Sequence, residues 1–243
     1  MLVLPAAARL GCWLNAWIAG RASADAAITG ITGGTGRAAF SGLLGESARG
    51  LPPALLLGEV RRQGMARASV ALPLPGDLVG LGGPSAFNLD AVDAGQAVLL
   101  VGTGLGLVPA VEAATTTWVA SPANPPTHLP DVASADRELK QHLLSAADCL
   151  AALDVAAWSP DAADAVLNLS APVAYDEVMF GSAVAARLVT SGLRCNEIVR
   201  LALRDDGGSL TAASSTRRRE ALLPLRRAAL SAIVAGCSSV DGR

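Results

Sequence analysis

Lysine is almost missing from this sequence. Lys140 is the single one, so the positive charge is otherwise carried by arginine. Tyrosine is equally scarce, with Tyr175 alone, and aromatic residues make up only 3% of the chain. Charged residues reach 16%, where about 25% is usual. Each shortage excludes a chemistry. A phosphate-binding P-loop needs Lys followed by Ser or Thr, and Lys140 is followed by Gln141. A short-chain dehydrogenase needs Tyr and Lys four residues apart, so that the ammonium lowers the phenol pKa; with one of each, far apart, that pair cannot be built. No serine sits in a GxSxG elbow. The two histidines, His128 and His142, have no Cys or His at zinc-ligand spacing. Cys12, Cys149, Cys195 and Cys237 form no CxxC pair and no disulfide framework, and they read as buried, reduced thiols.

What is present is alanine, leucine and valine. Apolar residues make up 51% of the 243 residues, enough for a real core. So few charges leave much of the surface uncharged, which points towards a protein partner or a second copy of the chain. The net charge of −2 argues against nucleic acid or a membrane as general partners. The charge is unevenly spread: residues 1–130 balance, 131–186 are acidic, and 187–243 are basic. We expect the last two segments to face each other within one bundle. The start of the chain is apolar, but no basic residue precedes the apolar stretch and Arg9 interrupts it, so it is a poor signal peptide. The uncharged run 94–111 has the length of a membrane helix, but its glycines and Pro109 favour two strands and a turn. The expected location is the cytoplasm.

Periodicity divides the chain at a proline-rich connector, ASPANPPTHLPD (residues 120–131). Before it, 6–20 reads as an apolar helix, Ser23 and Asp25 as the start of a second, and 29–52 as loop with one short helix. Residues 54–62 read as a third. Ala68–Leu74, Ala97–Val101, Leu105–Val111 and Thr115–Ala120 read as strands. The connection at GTG is too short for a helical crossover, so that pair should be antiparallel. After the connector the pattern is helical: 133–155, a helix near Pro160, one or two over 182–204, and a last from about Pro224. The expected fold is α+β. A small, mainly antiparallel sheet with N-terminal helices (1–130) is followed by a helical bundle (131–243), together one compact unit.

Two glycine motifs invite a nucleotide and fail on context. ITGGTGR (31–37) follows a poor strand, and GTGLGL (102–107) has Leu107 at the third glycine position with Pro109 just beyond. No cofactor is expected, no catalytic residue is assigned, and the chain leans away from being an enzyme. The stretch LPLPGDLVGLGGPSAFN (72–88) is the best candidate for a ligand site. Gly80, Gly82 and Gly83 would turn backbone N–H groups towards a ligand, and Asp77 and Asn88 would fix its polar parts. Its alternative is a structural loop, where Asp77 caps a turn and Asn88 caps a helix. Residues 201–223 have the shape of helix, turn, helix with Arg217, Arg218 and Arg219 on the second helix, which raises a DNA-binding regulator as a further reading. The leading reading is a non-enzymatic regulatory or interaction protein; small-molecule binding or turnover at 76–88 comes next.

The segments LPLPGD, GLGGPSAFN, AGQAVLLVG, GLVP, RELK and LALRDDGGSLTAA together resemble an uncharacterised actinobacterial protein family. The resemblance covers about half of the chain. It implies a cytoplasmic actinobacterial protein and carries over no catalytic residue.

Overall fold

The computed structural model describes residues 2–33, 37–44, 50–112, 115–152, 169, 175, 177–204 and 212–239. Helix α1 (Ala6–Ile18) starts after Pro5 and buries almost every side, including Leu10, Cys12, Leu14 and Asn15. A helix apolar all round belongs inside. It lies against the sheet so closely that a Cβ on Gly11 would come 2.4 Å from Val70 Cγ2. Helix α2 (Ala24–Thr32) starts where the sequence indicates: Ser23 Oγ accepts the Ala26 N–H at 3.1 Å. Gly33, with φ +65°, closes it. The first glycine motif therefore follows a helix and leads into a strand, the reverse of a dinucleotide-binding turn.

That strand, β1 (Arg37–Ser41), overturns the expectation of loop with one short helix over 29–52. It runs parallel to β5 (Thr115–Pro122) and is held near its end by Phe40, which is fully buried and exchanges two backbone hydrogen bonds with Leu51. Helix α3 (Pro53–Arg62) follows, and the guanidinium of Arg61 lies 5.1 Å from the centroid of the Trp17 ring. The remaining strands are β2 (Arg67–Ala71), β3 (Ala97–Val101) and β4 (Leu105–Glu112). The order is β1-β5-β4-β3-β2, antiparallel throughout except for β1 with β5. The second glycine motif is the β3–β4 turn. Pro109 lies beyond the part of β4 that pairs with β3, so its missing N–H interrupts no bond to that strand.

Both faces of the sheet are covered. Val70, Val98, Leu100 and Leu107 pack with Leu10 and Leu14 of α1. On the other face Ala71, Ala97 and Leu99 meet Phe87 and Ala91 of α4 (Ser85–Ala94). Gly95, with φ +67°, ends α4 as the sequence suggests. Its start differs: no side chain caps it at Pro84, and Asn88 acts from inside the first turn.

The C-terminal helices are α5 (Val132–Ala152), α6 (Ala183–Arg204) and α7 (Ala212–Ser238). Asp131 Oδ1 accepts the N–H groups of Ala133 and Ser134 at the head of α5, and hydrogen bonds from Ser134 hold its carboxyl below the usual range. Helix α7 does not begin at Pro224 but runs through it. It packs against both α5 and α6, and reaches β2 and α1 at its far end. Close approach to α6 depends on Gly192 and Gly236, where a Cβ would stand 2.7 Å from the Ala229 carbonyl oxygen and 2.9 Å from that of Ala185. The helix expected near Pro160 and the turn at Asp205–Gly208 lie outside the described residues. Among the described residues, one helical stretch, Ser215–Ser238, is long and apolar enough to cross a membrane, and 61% of its most apolar 18-residue window is buried inside the protein.

Glu59 on α3 gives the fold an acid-sensitive point. It is only 6% exposed, and its carboxylate accepts hydrogen bonds from Arg62 Nε (2.8 Å), Arg62 Nη2 (2.5 Å) and Gln63 Nε2 (2.5 Å). The bonds from Arg62 and then Gln63 pull its pKa from 4.5 down to about 2. A carboxylate with a lowered folded-state pKa stabilises the fold above its unfolded value and loses that contribution on acidification. The loss should therefore run from pH 4.5 down towards 2. Glu59→Gln should flatten this part of a plot of melting temperature against pH; an unchanged slope would exclude Glu59 as its source.

Candidate functional site

The candidate site grows from the loop after β2. Leu74 and Asp77 exchange two backbone hydrogen bonds, 2.8 and 3.0 Å, around Pro75 and Gly76. Pro followed by a Gly at φ +80° is the requirement of a type II turn. Asp77 Oδ1 then accepts the Val79 N–H at 3.3 Å, and Leu81 N–H reaches the Leu78 carbonyl at 3.0 Å. The loop next lies down on the connector. Asn124 N–H donates to the Gly83 carbonyl (2.8 Å), Thr127 N–H to that of Leu81 (3.3 Å), and Asn124 Nδ2 to that of Gly82 (3.3 Å).

The glycines have structural work here. A Cβ on Gly80 (φ +86°) would meet the Val70 carbonyl oxygen at 2.8 Å, and one on Gly82 would fall 1.8 Å from that of Pro125. Gly83, at φ +92°, gives its N–H to Asn88 Oδ1 at 3.1 Å. That N–H is not turned towards a ligand, so the expected role of this group as a free donor is replaced by an internal bond.

Asp77, Gly82 and Asn88 nonetheless line one pocket of about 400 Å³. Gly80 and Gly83 are not among its walls. Leu78, Val79 and Leu81 supply its apolar part, and Thr127 and His128 its remaining polar part. Asp77 and Asn88 each commit Oδ1 to the loop, which leaves Asp77 Oδ2 and Asn88 Nδ2 as what these side chains can offer a ligand. His128 is an exposed residue of the connector. The loop and the connector bring Asp77, Asn88 and His128 together through contacts about forty residues apart in the chain, which no local pattern announces.

The cysteines offer no competing chemistry. All four are free; Cys12, Cys195 and Cys237 are buried and Cys149 is half-buried, which corrects the expectation for the last. Burial pushes the Cys195 thiol up, and burial with Cys12 alongside does the same to Cys237. Both therefore stay protonated and are weak nucleophiles. Among the described residues no group of three or more His, Cys, Asp or Glu could hold a metal ion.

Fold and site together define an α+β protein with a mixed, mostly antiparallel five-stranded sheet, a helical C-terminal region of α5–α7, and a pocket where the loop after β2 meets the connector. The chain belongs to the Rv1486c-like family, whose N-terminal domain matches residues 7–132 and whose C-terminal domain matches residues 133–234. It is similar to the uncharacterized protein Rv1486c of Mycobacterium tuberculosis (strain ATCC 25618 / H37Rv) and to the uncharacterized protein MT1533 of the same species (strain CDC 1551 / Oshkosh). It is 31% identical to each over 120 residues, which cover 41% of this chain and 42% of the relative's length. No solved structure matches it. The family resemblance carried by segments such as GLGGPSAFN is thereby shown, with mycobacterial members.

Proposed function

We propose that this protein is a non-enzymatic regulator that works by binding a small polar molecule in the pocket at Asp77. One observation carries the reading. Three separate segments, the loop after β2, the first turn of α4 and the connector, converge on one concavity of about 400 Å³ with polar groups at its rim and an apolar wall. That volume and that mixture are typical of small-molecule sites. The four free thiols support a reducing compartment, and we place the protein in the cytoplasm.

A direct DNA-binding role has less support. Arg217 and Arg219 are exposed, but Arg218 between them is 8% exposed. A recognition helix needs a free face for the major groove, whereas α7 is packed against α5, α6 and the sheet edge. Regulation is better placed at the pocket, with the uncharged surface left to a protein partner.

A thermal-shift screen of nucleotides and metabolites tests this. A ligand at a hundred times its Kd stabilises the native state by about 2.7 kcal/mol, which in a chain of this length raises the melting temperature by about 5–10 °C. Asp77→Asn keeps an acceptor for the Val79 N–H and removes the charge. It should fold with little loss and weaken binding of a hit by at least about tenfold. A library without a hit, beside a native pull-down with one dominant partner, would discard ligand binding and leave the protein-interaction reading.

A further inference from the structure

The pocket does not end at Asp77. Asp77 and Val79 also form one wall of a second groove of about 250 Å³, whose other walls come from α5 and α7. Glu138 and His142 stand one turn apart on α5, and Arg227 and Ser231 one turn apart on α7. At that spacing both side chains of each helix share a face. The acidic and basic segments of the chain therefore meet here, with Asp77 and Glu138 on one side of the charge balance and Arg227 on the other. On α5 Lys140 Nζ binds Asp136 Oδ2 at 2.6 Å, and on α6 Arg200 binds Glu197. No side-chain hydrogen bond or ion pair joins Glu138, His142, Arg227 or Ser231 to another described residue.

We infer that the occupant is a free α-amino acid, bound with its charged head in this groove and its side chain in the neighbouring pocket. This rests on the binding role proposed above and names its ligand class. Two carboxylates and a guanidinium in a space of 250 Å³ match a molecule that carries groups of both signs on one carbon. The ammonium group sits between Asp77 and Glu138. The carboxylate takes the fork of Arg227, the geometry that suits a guanidinium, with Ser231 and His142 as further donors. The adjoining pocket, with Leu78, Val79 and Leu81 opposite Thr127 and His128, accepts a side chain with an apolar stem.

The experiment uses the full chain and calorimetric titration with each proteinogenic L-amino acid, followed by the N-acetyl and carboxamide derivatives of the tightest. Blocking either charge should weaken binding by at least tenfold, about 1.4 kcal/mol. Arg227→Gln should weaken the parent amino acid by a similar factor but not its amide. Glu138→Gln should weaken the parent but not the N-acetyl form. This crossed pattern isolates each charge from general damage to the fold. Failure of every amino acid to bind, or equal affinity for the blocked forms, overturns the inference. If another metabolite binds and is lost in Asp77→Asn, the amino-acid assignment falls while the binding role stands; if nothing binds, both fall.

Discussion

Replacing Asn15 by leucine should destabilise the protein by about 3–5 kcal/mol, the cost of leaving several buried backbone groups unpaired at about 1–3 kcal/mol each. Strand β2 is an edge of the sheet, and Ala68 turns its N–H and C=O away from β3 towards α1. Asn15 takes the place of a further strand: Oδ1 accepts the Ala68 N–H at 2.7 Å and Nδ2 donates to the Ala68 carbonyl at 2.9 Å. The same Nδ2 donates to the Cys237 carbonyl at 3.2 Å, near the end of α7. Two residues along β2, Ser238 Oγ accepts the Val70 N–H at 2.9 Å. Side chains from the first and last helices thus complete the sheet edge, which otherwise invites pairing with another chain. A leucine of similar size fills the space and satisfies none of these groups. Asn15→Asp should be at least as costly, because it removes the donor and aims a negative oxygen at two carbonyls. Urea denaturation measures both. A loss below about 1 kcal/mol for Asn15→Leu would mean that water replaces the amide. Because one side chain ties α1, β2 and α7, the N- and C-terminal parts should also unfold in a single transition.

That tie explains why some of the fold was legible in the sequence and some was not. Strands β2, β3 and β4 could be read because each is a largely apolar run with glycine or proline near an end, β5 because threonine, tryptophan and valine favour strands, and the β3–β4 hairpin because three residues leave no room for anything else. Strand β1 could not. Its sequence, RAAFS, holds one large apolar side chain among glycine-rich flanks, and only long-range pairing with β5 makes it a strand. Pro224 misled in the other direction: it reads as a helix start, but the packing of α7 on two neighbours outweighs one missing hydrogen bond. For the site, the turn at Leu74–Asp77 and the gathering of Asp77, Gly82 and Asn88 were legible, since they lie within one segment. Thr127, His128, Glu138, His142 and Arg227 were not, because they reach the same cleft only through the docking of the connector and of α5 and α7. The i,i+4 spacings of Glu138 with His142 and of Arg227 with Ser231 were local signals, and surface pairs share them.

Gly82→Ala should be the most damaging single-methyl change in the loop, costing about 2–4 kcal/mol and at least tenfold in ligand affinity. The added carbon would lie 1.8 Å from the Pro125 carbonyl oxygen and 2.7 Å from its carbon. Both belong to backbone, so no side chain can swing aside, and overpacking of this kind commonly costs about 1–3 kcal/mol before any hydrogen bond is lost. Relief requires the loop to part from the connector. That would strain the bonds from Asn124 and Thr127 to the carbonyls of Gly83 and Leu81 and displace Thr127 and His128, which line the pocket. Gly76→Ala is the control. Gly76 has φ +80° but nothing within 4 Å of its Cβ position, so only the left-handed backbone resists, at about 1–2 kcal/mol. Gly80→Ala should fall between, with positive φ and the Val70 carbonyl at 2.8 Å. Chemical denaturation ranks the three, and titration with a ligand separates fold from site. Gly76→Ala should bind normally once folded, and Gly82→Ala should bind poorly even well below its melting temperature. If Gly82→Ala were no less stable than Gly76→Ala and bound as well, the close approach of loop and connector would not be what shapes the pocket.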